Sequence, residues 1–234
     1  MVESSSPTVA LPVPSLRELC DRYLRAQLAG DRREAVRLLV EDGLGAGSTV
    51  LDLQTYVIQA AQSEIGRLWQ HNQVSIAQEH MASAISQLSL AALFERATPA
   101  KPLGKKLLLA CVEGELHDLP ARIVADFLEI EGFDVRYLGA DVPHGELVKM
   151  IDAERPALIG LSVTMSFNVP SLRTAVARVR QAGDRPIFIG GHATQWARGL
   201  AGELGVAAAG TTPLDVVTTA RRLVGLPERG AGAR

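Results

Sequence analysis

Cysteine is nearly absent: Cys20 and Cys111 are the only two in 234 residues, far apart in an Ala- and Leu-rich chain. That fits a reducing cytoplasm, where the chain is expected to work, better than a disulfide framework. No excess of either charge is present, since 24 basic and 26 acidic residues leave a formal net charge of −2. Without a basic arm or face, direct nucleic acid binding is not expected. Met1 to Pro14 has no positively charged segment leading into an apolar core, and no apolar run is long enough to span a bilayer, so neither a signal peptide nor a membrane anchor is read. The length leaves room for one large or two small domains, each with a proper core.

Residues 1–14 hold three prolines and three consecutive serines with little to bury, and read as a flexible leader. From Ser15 to Ala97 the pattern is purely helical. Ser15 with Glu18 is a capping-box pattern, and Leu16, Leu19, Tyr23, Leu24 and Leu28 recur at helical spacing. Gly30 and Asp31 end that helix, a second covers Arg32 to Glu41, and a third runs from about Thr49 to Trp69. Ser75 with Gln78 caps a fourth, to about Arg96, so a four-helix bundle is expected. A helical hairpin places Trp69, in the last turn of the third helix, at the same end as Glu79 and His80, in the first turn of the fourth. Taken alone, Trp69 reads rather as a core anchor and Glu79 as a favourable N-terminal charge.

Thr98 to Gly104, TPAKPLG, is a linker, and beyond it strands alternate with helices. Strands are expected at Lys106–Val112, Asp134–Leu138, Ala157–Val163, Pro186–Gly190 and, weakly, Val206–Ala209. Helices fall between them at Ala121–Glu131, Gly145–Glu154, Ser171–Ala182 and Thr194–Leu204, with a last one at Pro213–Leu223. This alternation means right-handed crossovers and a five-stranded parallel sheet covered on both faces, over residues 105–225. Residues 226–234 read as a loose tail. The fold class is therefore α plus α/β: a helical-bundle cap at 15–97, then a flavodoxin- or Rossmann-like domain.

The chemistry gathers where the first strand ends. Glu115, His117 and Asp118, with Leu119 beside them, lie at the strand-to-helix edge where open parallel sheets bind ligands. One imidazole nitrogen can bind a metal while the other donates to a carboxylate, which fixes the tautomer and raises the basicity of the ligating nitrogen. A solvated polar loop fits these residues as well. Other strand ends carry small or hydroxyl residues: Ser162 with Thr164, Gly190 with Gly191, and Gly210 with Thr211. Together they would open a slot reaching into the sheet, although each alone is ordinary turn chemistry.

EGELHDLP, the SVT beginning at Ser162 and the GG at Gly190 resemble the cobalamin-binding signature Asp-x-His-x-x-Gly, Ser-x-Leu and Gly-Gly, with the intervals in register. The upstream bundle, with Trp69 and Glu79-His80 in W-x9-EH spacing, resembles the cap of the CarH-type light-sensing adenosylcobalamin regulators. That resemblance implies base-off, His-on binding. His117 would be the lower axial ligand of cobalt, Glu115 its orienting partner, and Ser162, Thr164, Gly190 and Gly191 the lining of a slot for the displaced nucleotide tail. Trp69 and Glu79 would lie at the upper face and the adenosyl group, and light would break the cobalt–carbon bond and move the cap.

The chain departs from the pattern in several places. Glu115 stands for aspartate, as in the light-sensing branch, Pro120 for glycine and Thr164 for leucine. Gln70 occupies the position of the histidine that captures cobalt after photolysis, with His71 next to it. The expected function is a sensory module without turnover chemistry, signalling through a homo-oligomer or a separate regulatory or effector protein. A corrinoid carrier for methyl transfer, using methylcobalamin, is the alternative; some relatives also hold a bilin beside cobalamin, and a flavodoxin-like domain without corrin is the third reading. His144 is expected to flank a helix start, His192 to reach the ligand edge, and Trp196 to serve packing.

Overall fold

The computed structural model describes residues 14–197 and 199–227; the expected leader up to residue 13 and the tail from residue 228 lie outside the described residues. The chain divides into two compact units between Ala97 and Thr98. Among the described residues no helix is long and apolar enough to cross a membrane.

The first unit is helical. α1, Pro14–Leu28, ends before Gly30, whose φ of 72° supplies the reversal. α2, Arg32–Arg37, is capped by the Asp31 carboxylate and continues as a π-helical stretch, Leu38–Gly43. A Thr49/Asp52 capping box opens α3, Val50–Leu53, which passes through a second π-helical stretch, Gln54–Gln59, into α4, Ala60–Gln70. The helix expected at 49–69 is thus one continuous run with an inserted π turn, which spacing alone does not reveal. A Ser75/Gln78 capping box opens α5, Ile76–Phe94, with both reciprocal bonds formed. Tyr23, Leu39, Leu53, Ile58, Leu90 and Leu93 are fully buried between these helices. Polar groups of the core are paired across it: the Tyr23 hydroxyl donates to Ser89 Oγ at 3.0 Å, and Gln27 Nε2 donates to Ser86 Oγ at 2.8 Å.

The second unit is a parallel sheet of β1 Lys106–Cys111, β2 Asp134–Tyr137, β3 Leu158–Ser162, β4 Ile187–Gly190 and β5 Ala207–Ala208, in the order β2-β1-β3-β4-β5. α7 (His144–Glu154) and α8 (Val169–Gln181) cover the face formed by Leu108, Ala110, Ile159, Leu161 and Ile189. α6 (Leu119–Ile130) and α11 (Pro213–Leu223) belong to the opposite face. Burial of Leu107–Cys111 in β1 and of all of β3 explains their apolar runs, 107–111 and 158–161. Strand order reverses between β1 and β3, and the C-terminal ends of strands at such a reversal are where open parallel sheets bind ligands.

Two expectations need correction. The single helix expected at 194–204 is two short ones, α9 His192–Trp196 and α10 Leu200–Glu203, because Ala197 leaves helical geometry and Gly199 adopts a left-handed φ of 89°. The linker is also more ordered than its prolines suggest: the Ala100 N–H donates to Ile130 O at 2.7 Å and the Leu103 N–H to Gly132 O at 2.8 Å, stitching it to the α6–β2 turn.

Candidate functional site

The β1–α6 loop is built around one carboxylate. Glu115 is fully buried, yet its Oε1 accepts both the backbone N–H of His117, at 2.9 Å, and the imidazole Nδ1, at 2.7 Å. Its Oε2 accepts the backbone N–H groups of Thr164 (2.9 Å) and Met165 (2.8 Å) and the side-chain amide of Asn168 (3.0 Å) from the β3–α8 loop. Burial alone would raise the Glu115 pKa, but the bonds from His117, Met165 and Asn168 outweigh it and hold it at about 2. An ionised carboxylate only accepts, so Nδ1 donates the proton of this bond, and in the neutral ring the lone pair is on Nε2. The His117 side chain is 53% exposed, which leaves the imidazole accessible from outside the core.

The neighbours of this pair have definite places. Asp118 stands at the start of α6, where its carbonyl and Oδ2 accept from the Tyr137 hydroxyl at 3.1 and 3.3 Å. Leu119 is the first residue of α6 and Pro120 suits its first turn. The strand register puts Cys111, Ser162 and Gly190 side by side on β1, β3 and β4, a row of small residues directly below the loops. One row deeper, Phe188 and Leu109 close over Gly160, where an added Cβ would come 2.4 Å from the Phe188 ring. Thr164 sits above this row, and its Oγ1 is buried without a hydrogen-bond partner among the described residues.

The glycines have reasons within the chain itself. Gly191 has φ 99° and passes so close to Val163 that a Cβ would lie 2.2 Å from its carbonyl oxygen. Gly210, with φ 105°, is packed on Asp215 in the β5–α11 turn, away from the His117 loop in sequence and register. His144 is the first residue of α7 and bridges two segments, with Nδ1 2.7 Å from Glu113 and Nε2 3.0 Å from Ser171 O. Trp196 corrects an expectation: it is 55% exposed and meets the His192 ring edge-on at 5.6 Å. Of the five residues of α9, Ala193 is the one buried against the core, and Trp196 lies on the outer side.

On the helical unit, Trp69 is not a core residue of the bundle; it is 41% exposed in the last turn of α4. Glu79 is held in place by Ser83 Oγ and His80 Nδ1, each 2.7 Å from its carboxylate. His71 turns its Nδ1 back onto Arg67 O at 2.8 Å.

Family models described as B12 binding domain match residues 105–217 and, with a second model, residues 19–94. The HTH-type transcriptional repressor CarH of Myxococcus xanthus is 32% identical over 136 residues, which is 56% of this chain and 44% of the repressor. CarA of the same organism is 27% identical over 76% of this chain and 59% of its own length, so this chain spans about half of each repressor. Dimethylamine corrinoid protein 2 of Methanosarcina acetivorans is 30% identical over 148 residues, 60% of this chain and 68% of that protein. Among solved structures, the monomethylamine corrinoid protein of Methanosarcina barkeri superposes with a TM-score of 0.77 at 19% identity, covering 88% of this chain and 98% of that one, a likeness of fold.

The residues present fit a corrin-held cobalt. Among the described residues no three His, Cys, Asp or Glu side chains gather to hold a metal ion by themselves. His117 offers one oriented nitrogen, the arrangement suited to a metal that arrives with its own equatorial ligands. The Thr164 hydroxyl, buried without a hydrogen-bond partner among the described residues, stands above a row of small residues at the strand ends.

Proposed function

This chain belongs to the B12-binding domain family and is a cobalamin-binding protein, and from that premise we propose a sensory module that responds to light through adenosylcobalamin. The observation that supports cobalamin binding is the clasp of Glu115 on His117: a buried, ionised carboxylate orients the imidazole, whose Nε2 would hold the cobalt. Ser162, Thr164, Gly190 and Gly191 line the path of the displaced nucleotide tail, where Thr164 Oγ1 supplies a hydrogen-bonding group. When bound, the cofactor supplies a cobalt–carbon bond that light can break. Trp69, with its exposed indole, and Glu79, with its anchored carboxylate, are the residues we assign to the upper ligand. Their contacts must differ between the loaded and photolysed states if the ligand is to bias the helical unit. The output then passes to a second copy or to a separate effector protein.

A second reading, a corrinoid carrier for methyl transfer, is favoured by the 30% identity to a dimethylamine corrinoid protein over 68% of that protein's length. One experiment separates the two. The protein is loaded with adenosylcobalamin in the dark, its absorption spectrum is taken before and after green light, and both states are run on size-exclusion chromatography. A sensor gives an irreversible spectral change together with a change in elution. A carrier prefers methylcobalamin, and its elution ignores light. Protein that stays colourless after incubation with either form would sink both readings.

A further inference from the structure

α5 carries more apolar surface than its own unit uses. Ala82, Ile85, Ser86, Ser89, Leu90 and Leu93 face the bundle core, where the last two are fully buried. A different stripe, Ala77, Met81, Ala84, Leu88 and Ala91, follows the alternating four- and three-residue spacing of a helix-pairing seam. Its first four members are exposed, with Met81 at 37% and Leu88 at 46%. The helix has one acidic residue, Glu79, and no lysine or arginine among its 19 residues. An exposed apolar stripe beside the core-facing one, on a helix with a single charged side chain, is expected to be covered.

Beside the stripe lies a groove of about 320 Å³ lined by Gly30, Arg32, Met81, Ala84, Ile85 and Leu88. Its floor is the α1–α2 turn, where Gly30 leaves so little room that an added Cβ would come 2.9 Å from the Met81 sulfur.

We propose that this stripe is a self-association surface, on which α5 of a second copy of the chain packs antiparallel. The choice of occupant follows from the order of sizes along the stripe, small, large, small, large, small. Laid antiparallel on itself, the helix sets Met81 against the partner subunit's Ala84 and Leu88 against the partner subunit's Ala77. Each bulky side chain then enters a gap left by a methyl group, and the same contacts repeat about a two-fold axis, as an isologous dimer requires. A parallel pair would set Met81 on Met81 and leave the alanine positions as voids. The absence of charge along the stripe suits a dry contact between like helices. The inference does not depend on cobalamin.

The test uses the full chain, without cofactor and loaded in the dark. Light scattering coupled to size exclusion should give a dimer at micromolar concentration. Leu88→Glu puts two carboxylates into the seam and should weaken association by about 100-fold or more, with the circular dichroism spectrum and cobalamin uptake unchanged because the side chain is already half-exposed. Mixed Met81→Cys and Ala84→Cys chains should cross-link to each other faster than either does to itself. A wild-type monomer, a dimer indifferent to Leu88→Glu, or Met81→Cys chains that cross-link to themselves faster than to Ala84→Cys chains would each overturn the proposal, and the stripe would then serve this chain's own α/β unit or a different protein.

Discussion

Removing the imidazole at position 117 separates the site from the scaffold. His117→Ala deletes a half-exposed ring, and Glu115 keeps the amide donors of Thr164, Met165 and Asn168, so unfolding free energy should fall by only about 1–2 kcal/mol. The His-on absorption spectrum of the loaded protein should nevertheless disappear; an unaltered spectrum would remove His117 as the axial ligand. Glu115→Gln is a harsher change, because an amide NH2 must then face backbone N–H donors, and a loss of about 2–4 kcal/mol is expected in urea titrations. Acid sensitivity follows from the same group. Its pKa falls from an ordinary 4.5 to about 2 on folding, so its contribution is complete above the unfolded value and is lost as pH drops toward the folded one. That loss is on the order of 3 kcal/mol for the cofactor-free protein, and Glu115→Gln should abolish it. If wild type and variant lose stability in parallel between about pH 5 and about pH 3, the carboxylate is not the cause. His117 and Glu115 were legible in the sequence because their types and spacing are chemical. Asn168 and the amides of Thr164 and Met165 were not, because a backbone donor leaves no mark on residue type and a buried asparagine resembles any loop asparagine.

Among the elements, legibility followed length and end signals. α11 and the capped start of α5 agree with the sequence reading, since Thr212/Asp215 and Ser75/Gln78 are local devices that act without tertiary help. Ser75→Ala should therefore cost about 1 kcal/mol in chemical denaturation, and a change below about 0.3 would deny the cap its role. The π-helical stretches at 38–43 and 54–59 escaped notice because one added residue per turn leaves the apolar period almost intact. The α9–α10 break escaped because Gly199 and Ala197 act through backbone angles. At the end of β4 the chain itself demands glycine: Gly191→Ala meets the Val163 carbonyl and an unfavourable φ together. A drop of several kcal/mol in stability is expected there, with the β3–α8 loop displaced; a thermal midpoint like that of wild type would show that the loop yields freely.

At the scale of the molecule, two compact units with separate cores predict that cofactor binding is read locally before it is read globally. Cobalamin at about a hundred times its dissociation constant should stabilise the bound state by about 2.7 kcal/mol. Hydrogen exchange should accordingly slow about 100-fold at β1 and β3 amides that open only through global unfolding of that unit. Added protection near Trp69 and Glu79 would support their assignment to the upper ligand, and protection confined to the sheet would withdraw it.

The single carboxylate of Glu115 has a mechanical corollary. By taking donors from the β1–α6 and β3–α8 loops, it ties them together, so a displacement of the His117 ring should reach Met165 and the exposed Phe167 two residues on. A fluorophore substituted for Phe167 would therefore act as a strain gauge for His117. Cutting the link with Glu115→Ala should leave that gauge silent even while the histidine moves.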